Sequence, residues 1–386
     1  MNQGKYVFAQ FIEFISHYDF SKYVNKYNGN YRIKSFSCWD QFLCLCYGQV
    51  TQSESLRSIV LCLNAQRKKL YHLGISSNVK RSTLSDANNR IDWRIFADFA
   101  QILIEKARKL YVDDKEFAIE LDNTVYALDA STIDLCLNIF PWAKFKKTKG
   151  AVRLHSLIDL RGSIPVFIHI TDGKIHDVNA LDIIDFEFGA FYVMDRGYVD
   201  FKRLYEIQKS SAFFVTRLKK NIKFKRMYSN PVDRKTGLIC DQVIKLTSSY
   251  KNYPDKLRRI KYHDSESNVT YEFLTNNFTV SAMTIATLYK YRWKIETFFK
   301  WIKQHLSIKV FWGRTENAVK TQIWVAIIVY LTLAIIKKTI KSELSIYELS
   351  LIIGSSAFNR TPLRELLNIT ENESTKNENV EQLTLW

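Results

Sequence analysis

The chain is 386 residues long and 47% hydrophobic, with a formal charge of +17 and a pI of about 9.4. That length points to two or three modules rather than one small core, and that hydrophobic share excludes wholesale disorder. A positive excess of this size points to a polyanionic partner, nucleic acid before an acidic membrane surface. Residues 1 to about 112 read as helical: KYVFAQFIEFI and WDQFLCLCYGQV repeat apolar residues at three- and four-residue steps. Ser53-Glu54-Ser55 and Asp92-Trp93 carry helix-start residues. Ser77 or Asn78 is placed to open a short polar helix bearing Lys80, Arg81, Ser82, Thr83 and Ser85, then Asn88, Asn89 and Arg90. A short basic helix behind a glycine-containing turn suits DNA reading, and it equally suits a solvated connector.

From about residue 118 the period changes. Thr124–Asp129 is a short strand-like run ending on a carboxylate. Ala151–Leu160 and Pro165–Thr171 read as two strands around an Arg161-Gly162-Ser163 turn. Asp177–Ile184 and Val199–Lys209 read as helices. Phe191–Asp195 and Ala212–Arg217 read as buried strands, the first again ending on a carboxylate. The order strand, strand, strand, helix, strand, helix, strand predicts an α/β layer with a mixed sheet. Residues 218–277 read as a β-rich insertion with exposed basic edges, and helices return from about 281 to 341. The polar, acidic end ENESTKNENVEQLTLW is expected to fray.

Six cysteines are present: Cys38, Cys44, Cys46, Cys62, Cys136 and Cys240. A CxC pair inside an apolar helix is a poor zinc spacing, so all six are expected to be reduced core thiols of a cytosolic protein. The N-terminus MNQGKYVFAQ lacks the apolar run of a signal peptide. The most apolar segment, Ile323–Ile336, is fourteen residues long and is followed by Lys337 and Lys338. That falls short of the ~20 residues that cross a bilayer, so it reads as a buried core helix.

The stretch LYKYRWKIETFFKWIKQHL, Leu288 to Leu306, reads as one helix. At about 100° per residue, Tyr289, Arg292, Glu296 and Lys303 fall within roughly 60° of arc. An ordinary amphipathic helix with an Arg292–Glu296 pair gives the same pattern. The strand-terminal Asp129 in ALDAST and Asp195 in VMDRGY add two carboxylates where buried strands reach the end of an α/β sheet. Three carboxylates brought together repel one another unless a cation intervenes, and oxygen-only ligands favour Mg²⁺ or Mn²⁺ over Zn²⁺. Two such ions about 3.5–4 Å apart activate a water and steady the leaving oxygen of a phosphodiester.

Asp129 in LDAST, Asp195 in DRGY and Tyr289-x2-Arg292-x3-Glu296-x6-Lys303 together resemble the DDE transposases of bacterial insertion sequences. More narrowly, they resemble the subgroup named for its Y-R-E-K signature. The resemblance covers roughly residues 120–340, and the helical leader looks similar as well. It implies a ribonuclease H-like catalytic core with a β-rich insertion, preceded by an all-helical N-terminal domain. It further implies that Asp129 bridges two Mg²⁺ ions, or Mn²⁺ in their place, with Asp195 and Glu296 completing one site each. Tyr289, Arg292 and Lys303 would grip DNA phosphates near the cut. Related enzymes hold a flipped base on a tryptophan; the insertion has none, which leaves Trp293, Tyr228, Tyr250, Tyr253 or Phe224 as candidates.

Two basic clusters fit phosphate contact and equally fit solvated loops. They are Lys144, Lys146, Lys147 and Lys149, and Arg217, Lys219, Lys220, Lys223, Lys225 and Arg226. His155 and His176 fall near the expected site, as ligands or as ordinary packing residues. The expected organisation is a helical DNA-binding domain at 1–115, the first part of the core at 116–217 and a β-rich insertion at 218–280. A helical completion carrying Glu296 follows at 281–345, then a C-terminal helix and polar tail at 346–386. The expected partner is double-stranded DNA, both terminal inverted repeats and target, bound by a dimer, with no membrane and no small-molecule substrate. The expected location is the bacterial cytoplasm, at the nucleoid. Another ribonuclease H-like nuclease, or a DNA-binding regulator without catalysis, fits the same charge and fold.

Overall fold

A computed structural model describes residues 4–75, 78–112, 121–146, 149–305 and 311–367. Within them the backbone divides into two compact units. One joins the residues up to Leu110 to those from Gln304 onward; the other is Tyr111–Lys303. The helices after Glu316 therefore group with the N-terminal helices, whereas the sequence places residues up to 345 with the catalytic core.

The first unit is all helical, as the apolar periodicity predicts. Its centre is two helices, Cys38–Val50 and Glu316–Ile340. Ser37 and Asp40 form a reciprocal capping box at the start of the first, which satisfies backbone donors that the helix itself cannot. Thr315 caps the second, which ends at Lys341 in a left-handed conformation, φ 61°. This second helix runs for 25 residues, not fourteen, and its length and composition would suffice to cross a bilayer. Its apolar window is 94% buried inside the protein, so burial rather than shortness is what marks it as a core helix. The sequence underestimates it because Thr321 and Gln322 break the apolar run, yet both are buried among its first turns. Gly48 packs closely: a Cβ there would lie 2.3 Å from Ile59 Cδ1, so the isoleucine would have to move. Cys38, Cys44 and Cys46 are core thiols as expected, but Cys62 and Cys136 are exposed and Cys240 is half-buried.

The second unit is built on a ten-stranded sheet. Its strands are β1 (Val125–Leu135), β2 (Lys144–Lys146), β3 (Lys149–Asp159), β4 (Ile164–Asp172), β5 (Phe191–Met194) and β6 (Phe213–Arg217). They continue with β7 (Phe224–Asn230), β8 (Leu238–Leu246), β9 (Lys256–Asp264) and β10 (Val269–Thr275). The first, antiparallel half is β1 against β3 and β3 against β4, around the predicted turn, where Gly162 and Ser163 both take positive φ. β5 then lies parallel to β1, and β6 parallel to β5. The resulting order β4-β3-β1-β5-β6 is the ribonuclease H-like arrangement. The β-rich stretch continues the same sheet: β10 pairs antiparallel with β6, followed by β9, β8 and β7. The edge strand β7 is exposed along most of its length.

One face of the sheet is packed by Leu128, Tyr192, Met194, Leu204, Ile207 and Phe214. The long predicted helix from Leu288 is two, Ala282–Tyr291 and Trp293–His305, separated at Arg292. At the break the backbone bonds tighten to three-residue spacing, Arg292 N–H to Tyr289 O and Ile295 N–H to Arg292 O. Ser281 caps the first of these helices by accepting the Thr284 N–H at 3.0 Å. Ser281→Ala should cost about 1 kcal/mol, read as a lower unfolding midpoint in urea.

Candidate active site

The parallel ladder between β1 and β5 runs from Val125–Phe191 to Leu128–Met194 and then stops. The next residue on each strand is a carboxylate, Asp129 and Asp195, so the two emerge side by side. Asp195 ends its strand as the sequence predicts. Asp129 does not, because β1 runs on to Leu135 as part of the long hairpin with β3. What ends at Asp129 is the pairing with β5, and that is what frees its side chain.

The helix pair from Ala282 brings the remaining groups to the same place. The Tyr289 hydroxyl donates to Asp195 Oδ1 at 3.3 Å. Arg292 donates through Nη1 to Asp129 Oδ2 at 3.2 Å and through Nη2 to Glu296 Oε1 at 2.5 Å. The guanidinium also lies 5.6 Å from the centre of the Tyr289 ring. All three predicted acids thus meet at one phenol–guanidinium pair. Tyr289 and Arg292, expected from sequence to grip phosphates, hold carboxylates in this DNA-free structure. Lys303 lies half-buried on the Trp293–His305 helix, with no ion pair to the acids among the described residues.

Burial lifts the Asp129 carboxyl to about 6. The Ala130 N–H, donated to Asp129 Oδ1 at 2.8 Å, and the Arg292 charge pull it down, while Asp195 and Glu296 push it further up. The Tyr289 phenol is raised to about 12, chiefly by burial. No three His, Cys, Asp or Glu side chains among the described residues are grouped to hold a metal ion. The donor set nonetheless suits a hard cation, being three carboxylates, one of them half-buried and paired with a positive group. Arg292 is that group, and it spans Asp129 and Glu296 as a cation would.

A second polar cluster includes residues that sequence reasoning passed over. Arg153 and Asp177 form an ion pair with contacts of 2.6 Å. Tyr198 is buried, its hydroxyl has no hydrogen-bond partner among the described residues, and burial with the fields of Asp129, Asp177 and Asp195 raises its phenol far above the ordinary range. The signal for it was the DRGY run itself, whose tyrosine follows Asp195 by three residues. His155 is fully buried, hydrogen-bonded to Thr171 at 3.1 Å and lowered to about 4 by desolvation, which is packing rather than ligation. His176 is exposed at the start of the 3-10 turn Asp177–Asp182.

The basic residues divide. Lys144, Lys149, Lys220, Lys223, Lys225 and Arg226 are exposed, as are Lys80 and Arg81 at the start of the helix Arg81–Arg90. Lys219 instead donates to the Val199 carbonyl at 3.1 Å, and Arg217 lies over the Tyr271 ring. Ser77, Lys147, the side chain of Lys146 and the 371–386 tail fall outside the described residues. Among the candidate base-stacking rings, Trp293 is 55% exposed, and Tyr228 and Tyr250 are exposed as well. Tyr253 is buried in the core and Phe224 is covered by Arg259, which removes the first as a candidate and disfavours the second.

Residues 120–332 match the model of the transposase DDE domain, and residues 3–76 match a domain of unknown function. A Sinorhizobium fredii protein named as transposase y4zB is 32% identical over 65% of this chain and 70% of its own length. A Geobacillus stearothermophilus protein named as the transposase for insertion sequence element IS5377 is 28% identical over 65% and 66%. A Synechocystis protein named as the transposase for insertion sequence element IS4SA is 26% identical over 82% and 88%. The cryo-EM structure of a piggyBac transposase synaptic complex with hairpin DNA aligns over 97% of this chain and 85% of its own. Its identity is 10% and its TM-score 0.45.

Proposed function

This chain belongs to the DDE-domain transposases, and on that premise we propose that it excises and inserts an insertion sequence through Asp129, Asp195 and Glu296. It is an enzyme acting on DNA, in a family that generally uses divalent metal ions. The finer reading gives the three acids two Mg²⁺ ions, or Mn²⁺, per active site. The observation that carries it is the convergence of the three acids, two from neighbouring parallel strands and one from a helix, on Tyr289 and Arg292.

Bound cations would supply a nucleophilic water and charge relief on the leaving oxygen. Asp129, Asp195 and Glu296 would hold them. Water attack on a backbone phosphorus breaks the P–O3′ bond and leaves a free 3′-OH at the element's end. That hydroxyl then attacks a second phosphodiester, so one bond forms for each that breaks. By analogy with the Y-R-E-K subgroup, the first such attack falls on the opposite strand and gives a hairpin, reopened before insertion. Lys303, the exposed lysines and arginine of 144–149 and 220–226, and Lys80 and Arg81 would neutralise phosphates, and Trp293 would stack on a displaced base. Paired ends call for a dimer on DNA, in the cytoplasm at the nucleoid.

The test is a joining assay with a pre-cut duplex, bearing the element's end sequence and a 3′-OH, and a plasmid target. A transposase joins end to plasmid in Mg²⁺. Hydrolysis without joining would mean a nuclease, and binding without cutting a regulator.

A further inference from the structure

We infer that Arg292 is a place-holder for the cations, binding Asp129 and Glu296 in the metal-free enzyme and passing to a DNA phosphate when metal and DNA arrive. The inference rests on the reading that these acids hold metal. It goes beyond that reading in making metal binding and DNA binding help each other through one side chain.

Three observations carry it. The guanidinium spans two carboxylates that belong to different elements, one on β1 and one on the Trp293–His305 helix, with its two terminal nitrogens at 3.2 and 2.5 Å. Its Nε, buried, has no hydrogen-bond partner among the described residues, so the acids do not use up the five-donor fork. And among the described residues no three acids already stand grouped around a metal position; Asp129 and Glu296 are joined through Arg292. A cation entering this site must therefore displace the arginine, losing affinity to the competition. Once displaced, the guanidinium stands beside the reacting phosphodiester with its fork open, the geometry that suits a phosphate. DNA phosphates draw Arg292 away and so favour metal, and metal evicts Arg292 and so favours DNA. By linkage the two effects are equal in size.

Mn²⁺ binding to the full chain, followed by electron paramagnetic resonance, separates the alternatives without any turnover. The probes are Mn²⁺ alone and Mn²⁺ with the pre-cut end duplex. The wild type should bind Mn²⁺ about tenfold tighter with the duplex than without it. Arg292→Gln should bind Mn²⁺ more tightly than the wild type without DNA and gain less from the duplex, only what the phosphate oxygens themselves add. Arg292→Lys keeps the charge but cannot span both acids, and should fall between the two. Equal Mn²⁺ affinity of wild type and Arg292→Gln without DNA overturns the inference. A duplex-induced gain of the same size in both overturns it too. Glu296→Gln serves as the control for the underlying reading: if it binds Mn²⁺ like the wild type, the assignment of the acids as metal ligands fails, whatever Arg292 does. Circular dichroism of each variant confirms that the fold being titrated is intact.

Discussion

Asp195→Asn and Glu296→Gln each lower Mg²⁺-dependent cleavage of end-bearing DNA by at least about a thousandfold, equivalent to about 4 kcal/mol of lost transition-state stabilisation. Both changes keep the shape of the side chain and remove one negative charge. Each position therefore loses its capacity to hold a cation while its neighbours stay packed. The amide oxygen that replaces the Asp195 carboxylate still accepts from the Tyr289 hydroxyl, and the one that replaces the Glu296 carboxylate still accepts from Arg292. Binding to the same DNA should persist or strengthen slightly, because affinity comes mainly from phosphate neutralisation and the site becomes less negative. Gel-shift titration beside denaturing-gel analysis of cut strands reads both properties from one preparation. Cleavage at the wild-type rate by either variant removes that acid from the active site. Parallel loss of binding would instead mean a folding defect, which circular dichroism of the same variant reads.

The elements that sequence reads well are those set by local pattern. The run of buried residues before Asp195 identifies β5, and its end on a carboxylate identifies a site residue. The strand and helix order from β1 to β6 follows from the change of period near residue 118, apart from the short β2, which it does not foresee, and the helix expected at Asp177–Ile184, which is a 3-10 turn over Asp177–Asp182. Pairing partners are a different matter, because they are chosen by residues far away in the chain. Nothing local says that β10 will pair with β6, so the 218–277 stretch reads as an insertion rather than as the other half of one sheet. Nothing local says that β1 outlives its pairing with β5, so Asp129 reads as a strand end.

The same limit explains why the carboxylate contacts of Tyr289 and Arg292 are not foreseen from sequence. Helical spacing shows that Arg292 faces Glu296, and the structure keeps that contact across the break between the two helices. It cannot show that β1 and β5 bring Asp129 and Asp195 against that face, which is what lets Tyr289 and Arg292 reach carboxylates in the DNA-free protein. Tyr198 and the Arg153–Asp177 pair were missed because their importance lies in burial beside the acids, and burial of a polar side chain has no signature in composition.

In the metal-free protein at neutral pH, Asp129→Asn should raise stability by about 2–3 kcal/mol, the opposite of what replacing an ordinary paired aspartate does. The carboxyl sits at about 6 in the folded chain against 3.8 in the unfolded one. Between those values the folded state holds a proton that the unfolded state has released, so stability falls as pH rises through this window and stays low above it. Asparagine has no charge to bury and can still accept from the Ala130 N–H and from Arg292, so it escapes the loss. The two proteins should therefore be nearly equal at pH about 4 and diverge by pH about 7.5, which urea unfolding in EDTA measures directly. Mn²⁺ reverses the ranking: it stabilises only the native wild type, by an amount that grows with the logarithm of its concentration, and does little for Asp129→Asn. A variant less stable than wild type at neutral pH without metal would mean that attraction to Arg292 outweighs burial. The acid would then be satisfied by its arginine and have no standing need for a cation. A variant more stable without metal and indifferent to Mn²⁺ is what a buried ligand held ready for an ion requires.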